Sequence, residues 1–392
     1  MKKQLLIFAM ILLPMVANAH DIEVQNADGV TIYYNYINDG TELEVTFRGP
    51  YSNSYSNEYK GSVVIPEEVT YMGSTRKVTS ISNDAFRNCG NLTSITIPHS
   101  VKSIGDYAFA YCSFLRKVIV PDIASWCGIK FGYDEANPLY YARHLYSDEN
   151  TEIKDLIIPD GVTSIGYEAF YYCSGLTSVT ISNSVTSIGE YAFYECSGLT
   201  SVTIGNSVTS IAKRAFSHCF ALHSIIIPNS VTSIGDEAFK GNRTLNSVII
   251  GNGVTSIGHS AFYDCYGLFS VTIGKSVTSI SRNAFYNADI STIISFIEKP
   301  FTIYGKTSDD TIFSLNVYNN AMLYVPKGTI DKYKSTNGWK DFANIKEGNP
   351  TAINVVENAK DCKAVIYDLN GVRQSEPQKG INIINGKKYV KK

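Results

Sequence analysis

The side chains repeated most regularly in this sequence are the serines of a recurring V-x-S-I phrase: Ser80, Ser103, Ser164, Ser187, Ser210, Ser233, Ser256 and Ser279. A serine nucleophile needs one base held beside it at one place in a fold. Eight equivalent serines do not have that arrangement. Their spacing predicts a ladder of small hydroxyls bonding the backbone of the next repeat. Six of the eight cysteines also share one repeat position: Cys89, Cys112, Cys173, Cys196, Cys219 and Cys265. Stacked cysteines in an oxidising compartment could bridge. Pointing one way into a core, they would instead pack as small hydrophobes. The copies that lack the cysteine carry Asn242 and Ala288, which favours packing over chemistry. No C-x-x-C pair is present, and the six histidines (His20, His99, His144, His218, His223, His259) are scattered. No H-E-x-x-H, G-x-S-x-G or phosphate loop occurs. The expectation is therefore no metal, no cofactor and no enzyme. A glycan-active enzyme, with two carboxylates brought together by the fold, is kept as an alternative.

The elements that hold these columns are legible from the period. V-x-S-I copies begin at Val78, Val101, Val162, Val185, Val208, Val231, Val254 and Val277, and the regular spacing is 23 residues. A fixed period in this range means a solenoid, because one copy cannot bury its apolar side alone. In the copy 185–207, Leu199, Val202 and Ile204 fall on L-x-x-L-x-L spacing. Alternation along a strand turns Val202 and Ile204 inward and Ser201 and Thr203 outward. Successive strands should pair in parallel into one sheet, with Val185 and Ile188 anchoring the opposite wall. Gly189 would permit a turn, and Phe193 to Cys196 suggests one short helical or 3-10 turn. The fold class is thus a β-rich leucine-rich-repeat solenoid, with a parallel sheet on one face and short turns or 3-10 segments on the other.

The recurring V-T-S-I-G-x-x-A-F-x-x-C-x-x-L-T-S-V-T-I resembles the BspA-like leucine-rich repeat surface proteins of Bacteroidetes. The resemblance covers most of the chain after residue 19. It implies surface adhesion or binding of a host protein, by analogy of fold.

Composition narrows the partners. The formal net charge is −2 and charged residues make up 18%, which gives no reason to expect nucleic acid. Lys2 and Lys3, the apolar stretch from Leu5 to Val16, and Ala17-Asn18-Ala19 read as a signal peptide over 1–19. No later apolar run is long enough to span a bilayer, so a mature chain without a transmembrane segment is expected. The expected location is secreted or cell-surface, with the periplasm as alternative. The 27 tyrosines suit contact surfaces as well as β-rich cores.

The period breaks once. Val101 and Val162 stand 61 residues apart, and the extra stretch 124–161 reads as one enlarged rung with a long loop. Insertions in solenoids map to loops on one face, often the binding face. The loop's Trp126, Phe131, Tyr133, Tyr140, Tyr141 and Tyr146 are candidate partner contacts, with Lys117 from the outward strand column. The competing expectation is that these aromatics fold back over the solenoid. If the loop is an appendage, removing 127–148 leaves the solenoid folded. The outward strand columns, Ser94 to Ser270 and Thr96 to Thr272, read as a flat Ser/Thr/Ile face and a second candidate surface.

Ends are needed to cover the terminal rungs. Residues 20–72 read as an N-terminal β cap, 73–300 as the solenoid and 301–349 as a C-terminal cap. Residues 350–392 read as a small β module with Asn-Gly turns. That module resembles type IX-like C-terminal sorting modules, which implies export to the surface. Together these features predict a non-catalytic, adhesin-like, monomeric binding protein for an extracellular protein or glycan. A structural or self-associating envelope protein is the alternative.

Overall fold

The computed structural model describes residues 20–49, 51, 57–133 and 135–348, and the backbone of four short strands between 366 and 391. The proposed signal peptide lies outside the described residues.

Each rung has two strands and a turn side. The L-x-x-V-x-I segments form parallel strands such as Ser178–Ile181 and Ser201–Thr203, in register Ser178 to Ser201 and Val179 to Val202. The V-x-S-I segments form two-residue strands, and six of them, Ser164–Ile165 to Ser279–Ile280, pair in parallel as a second wall. Alternation is clear in one rung, where Val179 and Ile181 are buried and Thr180 is exposed. In the copy 185–207 Ile204 is buried and Ser201 exposed as expected, but Val202 and Thr203 are both half-buried.

The turn side differs from a glycine-dependent corner. Ala212 stands one rung after Gly189. The left-handed backbone instead falls on Tyr191 (φ 56) and Glu195 (φ 52), and recurs in each rung on non-glycine residues such as Arg214, His218, Ser260 and Asp264. Such residues cost about 1–2 kcal/mol each. Rung-to-rung bonds offset that cost: the N–H groups of Tyr191, Phe193 and Glu195 donate to the carbonyls of Lys213, Ala215 and Ser217.

The core is a stack of phenylalanines. Phe170, Phe193, Phe216, Phe239, Phe262 and Phe285 lie nearly parallel, with centroids 5.0–5.4 Å apart. Beside it runs the cysteine column. All seven described cysteines are buried and unpaired. The hydroxyl ladder is present, but threonine builds most of it. Thr186, Thr209, Thr232 and Thr255 each donate Oγ1 to the threonine carbonyl one rung back, at 3.0 Å. Of the V-x-S-I serines, Ser80 bonds Ser103, Oγ to Oγ at 3.0 Å.

At the N-terminus, Ile22–Gln25, Thr31–Ile37 and Glu42–Thr46 form an antiparallel sheet. Its last strand pairs in parallel with Ser74–Ile81, which in turn pairs with Ser103–Ile104, so this sheet continues into a separate short-strand wall that precedes the six-stranded one. At the other end, Met322–Val325 and Asn344–Glu347 add two parallel strands to the long-strand wall. Helix Ile330–Ser335 and the 3-10 turn Trp339–Asp341 close it, burying Tyr333 and Trp339. Strands Ile366–Asp368, Arg373–Gln374, Gly380–Ile384 and Lys387–Lys391 pair antiparallel. Among the described residues, no helix is long and apolar enough to cross a membrane.

The stretch 124–161 is not a long loop. It builds a degenerate rung of its own. Helix Ile123–Cys127 leads into Lys130–Phe131, which pairs with Ser103–Ile104 as the last strand of the first short-strand wall. Helix Leu139–Ala142 leads into Leu145–Tyr146, which pairs with Val118–Ile119. The chain then turns back, with Tyr146 bridging Glu152, and Asp155–Ile158 starts a new sheet. Both walls therefore end and restart at this joint. The phenylalanine stack also stops at Phe109 and resumes at Phe170. The joint is held by Trp126, whose Nε1 donates to the Ala169 carbonyl at 2.7 Å, by Gly166 N–H to Cys127 O at 2.9 Å, and by Asn137 Nδ2 to Glu168 O at 2.7 Å.

Candidate functional site

On the turn side of this joint the chain forms a cleft of about 460 Å³. Seven tyrosines line it: Tyr107, Tyr111, Tyr133, Tyr140, Tyr167, Tyr171 and Tyr172. Ala110, Glu135, Asn137 and Glu168 complete the lining. Its volume lies within the range of small-ligand sites. Three sources supply it. Tyr107 and Tyr111 flank the A-F pair of the rung before the joint, Tyr167, Tyr171 and Tyr172 flank that of the rung after it, and Tyr133 and Tyr140 come from the inserted rung.

The geometry follows from the turn backbone. Tyr107, Tyr111, Glu135, Glu168 and Tyr172 all occupy the left-handed positions that recur throughout the array. This strain belongs to the scaffold, and the side chains placed on it differ from rung to rung. Tyr140 stacks on Tyr171 with centroids 6.3 Å apart and meets Tyr172 edge-on at 5.2 Å. Tyr171 stacks on Tyr194 at 5.3 Å, which prolongs the band. Tyr133 is 73% exposed and Tyr111 57%, so their rings face solvent. Arg143 places its guanidinium 4.1 Å from the Tyr172 centroid at one rim. Arg87 lies 5.4 Å from that of Tyr107 at the other.

Polar groups are fixed between the rings. Glu135 accepts from the Tyr141 hydroxyl at 2.8 Å and from the Tyr111 N–H at 3.3 Å. The Tyr167 hydroxyl bonds Glu168. Burial pushes the phenols of Tyr141, Tyr167 and Tyr171 well above the ordinary tyrosine range, and that of Tyr194 up to about 12. Each hydroxyl stays a donor at neutral pH. A second depression of about 760 Å³ adjoins the cleft through Tyr133 and Tyr167. It opens where Lys130–Phe131 ends one wall and Ser164 begins the next.

The residues singled out in the sequence separate into three groups. Tyr133 and Tyr140 line the cleft, and Tyr141 orients Glu135 from behind it. Trp126 (1% exposed) and Phe131 (8%) pack edge to face inside the joint and support the rung. Trp126 is absent from both linings, while Phe131 edges the second depression. Lys117 and Tyr146 lie on the long-strand wall, with the ammonium 5.0 Å from the ring centroid. They are paired with each other, outside the cleft lining. The flat outward strand face is interrupted. Ile119, Ile249 and Thr272 are buried, and Ile157 is 67% exposed beside the joint. Ile119 is covered because Tyr146 follows it in register. The period alone missed Tyr107, Tyr111, Tyr167, Tyr171 and Tyr172, which occupy routine positions flanking A-F. Stacking the rungs in columns would have shown aromatic residues there on both sides of the break.

Among the described residues, no group of three His, Cys, Asp or Glu side chains is placed to hold a metal ion. The fold and the cleft define a leucine-rich-repeat solenoid with a tyrosine-lined cleft at a break in its array. The chain belongs to the BspA type leucine rich repeat region family, which matches in six copies over 51–128, 145–252 and 232–308. Among solved structures it is similar to a leucine rich cell surface protein from Faecalibacterium prausnitzii A2-165. There the identity is 24%, coverage is 84% of this chain and 96% of that one, and the TM-score is 0.47. A leucine-rich repeat protein from Bacteroides ovatus ATCC 8483 is 25% identical over 81% of this chain and 98% of its own, with a TM-score of 0.39. The T. pallidum leucine rich repeat protein is 21% identical over 67% and 89%, with a TM-score of 0.30. No curated protein matches the chain.

Proposed function

We propose that this is an exported, adhesin-like binding protein. It acts without catalysis, at the cell surface or in the medium, and recognises an extracellular protein or glycan through the cleft at the joint. The observation that carries this reading is the convergence of seven tyrosines from three rungs on one cleft. Tyrosine combines a large rigid ring with a polar tip and is enriched among the residues that dominate interfaces. A solenoid stabilised only by stacking needs none of these rings on its outside. Residues 1–19 supply the export signal in this reading, and residues 350–392 serve in sorting.

The test is a binding screen of the purified protein against extracellular matrix proteins and oligosaccharides, repeated with Tyr133→Ala/Tyr140→Ala. Loss of binding in the double variant, with an unchanged circular dichroism spectrum, supports the cleft. Full binding by the double variant moves recognition to the strand face.

A further inference from the structure

We propose that the cleft is a receptor for a guanidinium or ammonium side chain, and that its occupant is a basic segment of a partner protein. This rests on reading the cleft as the recognition site. The first argument is charge. The charged side chains in the described lining are Glu135 and Glu168, and no Lys or Arg lines it. Lys130 lines the adjoining depression instead, which also holds Glu190, itself paired with Lys213 at 3.6 Å.

The second argument is the chain's own cations. Arg143 lies over Tyr172 at 4.1 Å and within 5.9 Å of the Tyr140 centroid. Arg87 lies over Tyr107 at 5.4 Å and Tyr111 at 5.8 Å. Both rims therefore already hold a guanidinium against lining rings. The habit continues along the turn side, with Arg214 over Tyr191 at 5.5 Å and Lys240 over Tyr263 at 5.3 Å. Between the rims, Tyr133 offers an exposed ring and Glu135 and Glu168 offer carboxylate oxygens. A ring face attracts a cation within about 6 Å of its centroid, and a carboxylate completes the site by charge-assisted hydrogen bonds. A neutral sugar could stack on the same rings and donate hydroxyls to the carboxylates but would gain no charge attraction, so it is the comparison probe, and an anionic one would be repelled by both.

Fluorescence anisotropy with a labelled peptide of alternating glycine and arginine tests this, beside the same peptide with citrulline in place of arginine. Citrulline keeps the shape and removes the charge. The arginine peptide should bind at least about tenfold more tightly, and more weakly at about 300 mM salt than at about 50 mM. Tyr133→Ala and Glu135→Gln/Glu168→Gln should each weaken it about tenfold. Asp309→Asn, which removes a carboxylate outside the lining, should not. Equal binding of the citrulline peptide overturns the proposal, as does indifference to Glu135→Gln/Glu168→Gln in a protein with an unchanged melting curve. If neutral oligosaccharides bind in a Tyr133-dependent way and the arginine peptide does not, the cleft is still a recognition site but its occupant is not a cation. If neither probe responds to Tyr133→Ala/Tyr140→Ala, both readings fail.

Discussion

The sulfur of Cys219 donates a hydrogen bond to the carbonyl oxygen of Phe193, 3.2 Å away and 26 residues earlier in the chain. Cys112, Cys196 and Cys265 repeat the contact with Phe86, Phe170 and Phe239 at 3.1–3.2 Å. The column thus adds a second donor to turn carbonyls that already accept a bond within their own rung, as Phe86 O does from Cys89 N–H at 3.1 Å and Phe170 O from Cys173 N–H at 3.2 Å. Burial pushes the Cys89 thiol up to about 11 and those of Cys127 and Cys173 up to about 12. The unfolded chain releases these protons near 9, the folded chain only at higher pH. Stability is therefore fully present below about pH 8 and falls as pH rises through 9, by about 1.4 kcal/mol per pH unit for each thiol. Thermal melts between about pH 7 and 10 should show a falling midpoint. In a Cys362→Ser background, a thiol reagent should label the seven buried cysteines only after denaturant is added, and rapid labelling of that native variant would overturn the packing account.

Phe216 carries the stack at mid-array. Its ring lies between Phe193 at 5.0 Å and Phe239 at 5.4 Å and is fully buried. Phe216→Ala should cost about 3–5 kcal/mol, because neighbouring rungs fixed by backbone ladders cannot collapse into the gap. A denaturant titration followed by circular dichroism reads the loss. A near-unchanged midpoint would mean that rung stacking is supplied by the ladders rather than the rings.

Asn242 replaces cysteine in one rung. Its Nδ2 donates to Phe216 O at 3.0 Å and Phe239 O at 2.9 Å. Its Oδ1 is buried without a partner among the described residues. Such an oxygen costs about 1–3 kcal/mol, while the second donor bond returns about 1 kcal/mol. Asn242→Cys removes the orphan and keeps the bond that the column makes elsewhere. The variant should melt higher, by about 1 kcal/mol of stability. A lower melting temperature would show that the second bond outweighs the stranded oxygen.

The period made the walls, the phenylalanine stack and the buried cysteine column legible, since all three repeat at one spacing and one face. Two features escaped it. The hydroxyl ladder falls mainly to Thr186 and its equivalents rather than to Ser187, because threonine, one residue earlier, lies beside a carbonyl of the previous rung. Which of two adjacent hydroxyls meets that carbonyl depends on rung twist, which composition does not encode. The cleft escaped because its residues are distant in sequence. Glu135 and Tyr107 become neighbours only when the inserted rung stacks, with Phe109 N–H bonding the Glu135 carbonyl at 3.2 Å.

The inserted rung also reverses one expectation from the sequence. If 124–161 were an appendage, deleting 127–148 would spare the solenoid. In the structure that segment contains Cys127, Leu139, Ala142 and Leu145, each no more than 1% exposed, and the strands Lys130–Phe131 and Leu145–Tyr146 that end both N-terminal sheets. Each rung is stabilised by its nearest neighbours, so removing one leaves two apolar faces that do not match in register. The deletion should give a protein that elutes as aggregate and melts without a cooperative transition. Tyr133→Ala, at an exposed ring whose backbone carbonyl still accepts from Tyr107, should change stability by no more than about 0.5 kcal/mol. A deletion variant that is monomeric and melts cooperatively would show that the two halves of the solenoid fold independently, and that the cleft is carried by a dispensable element.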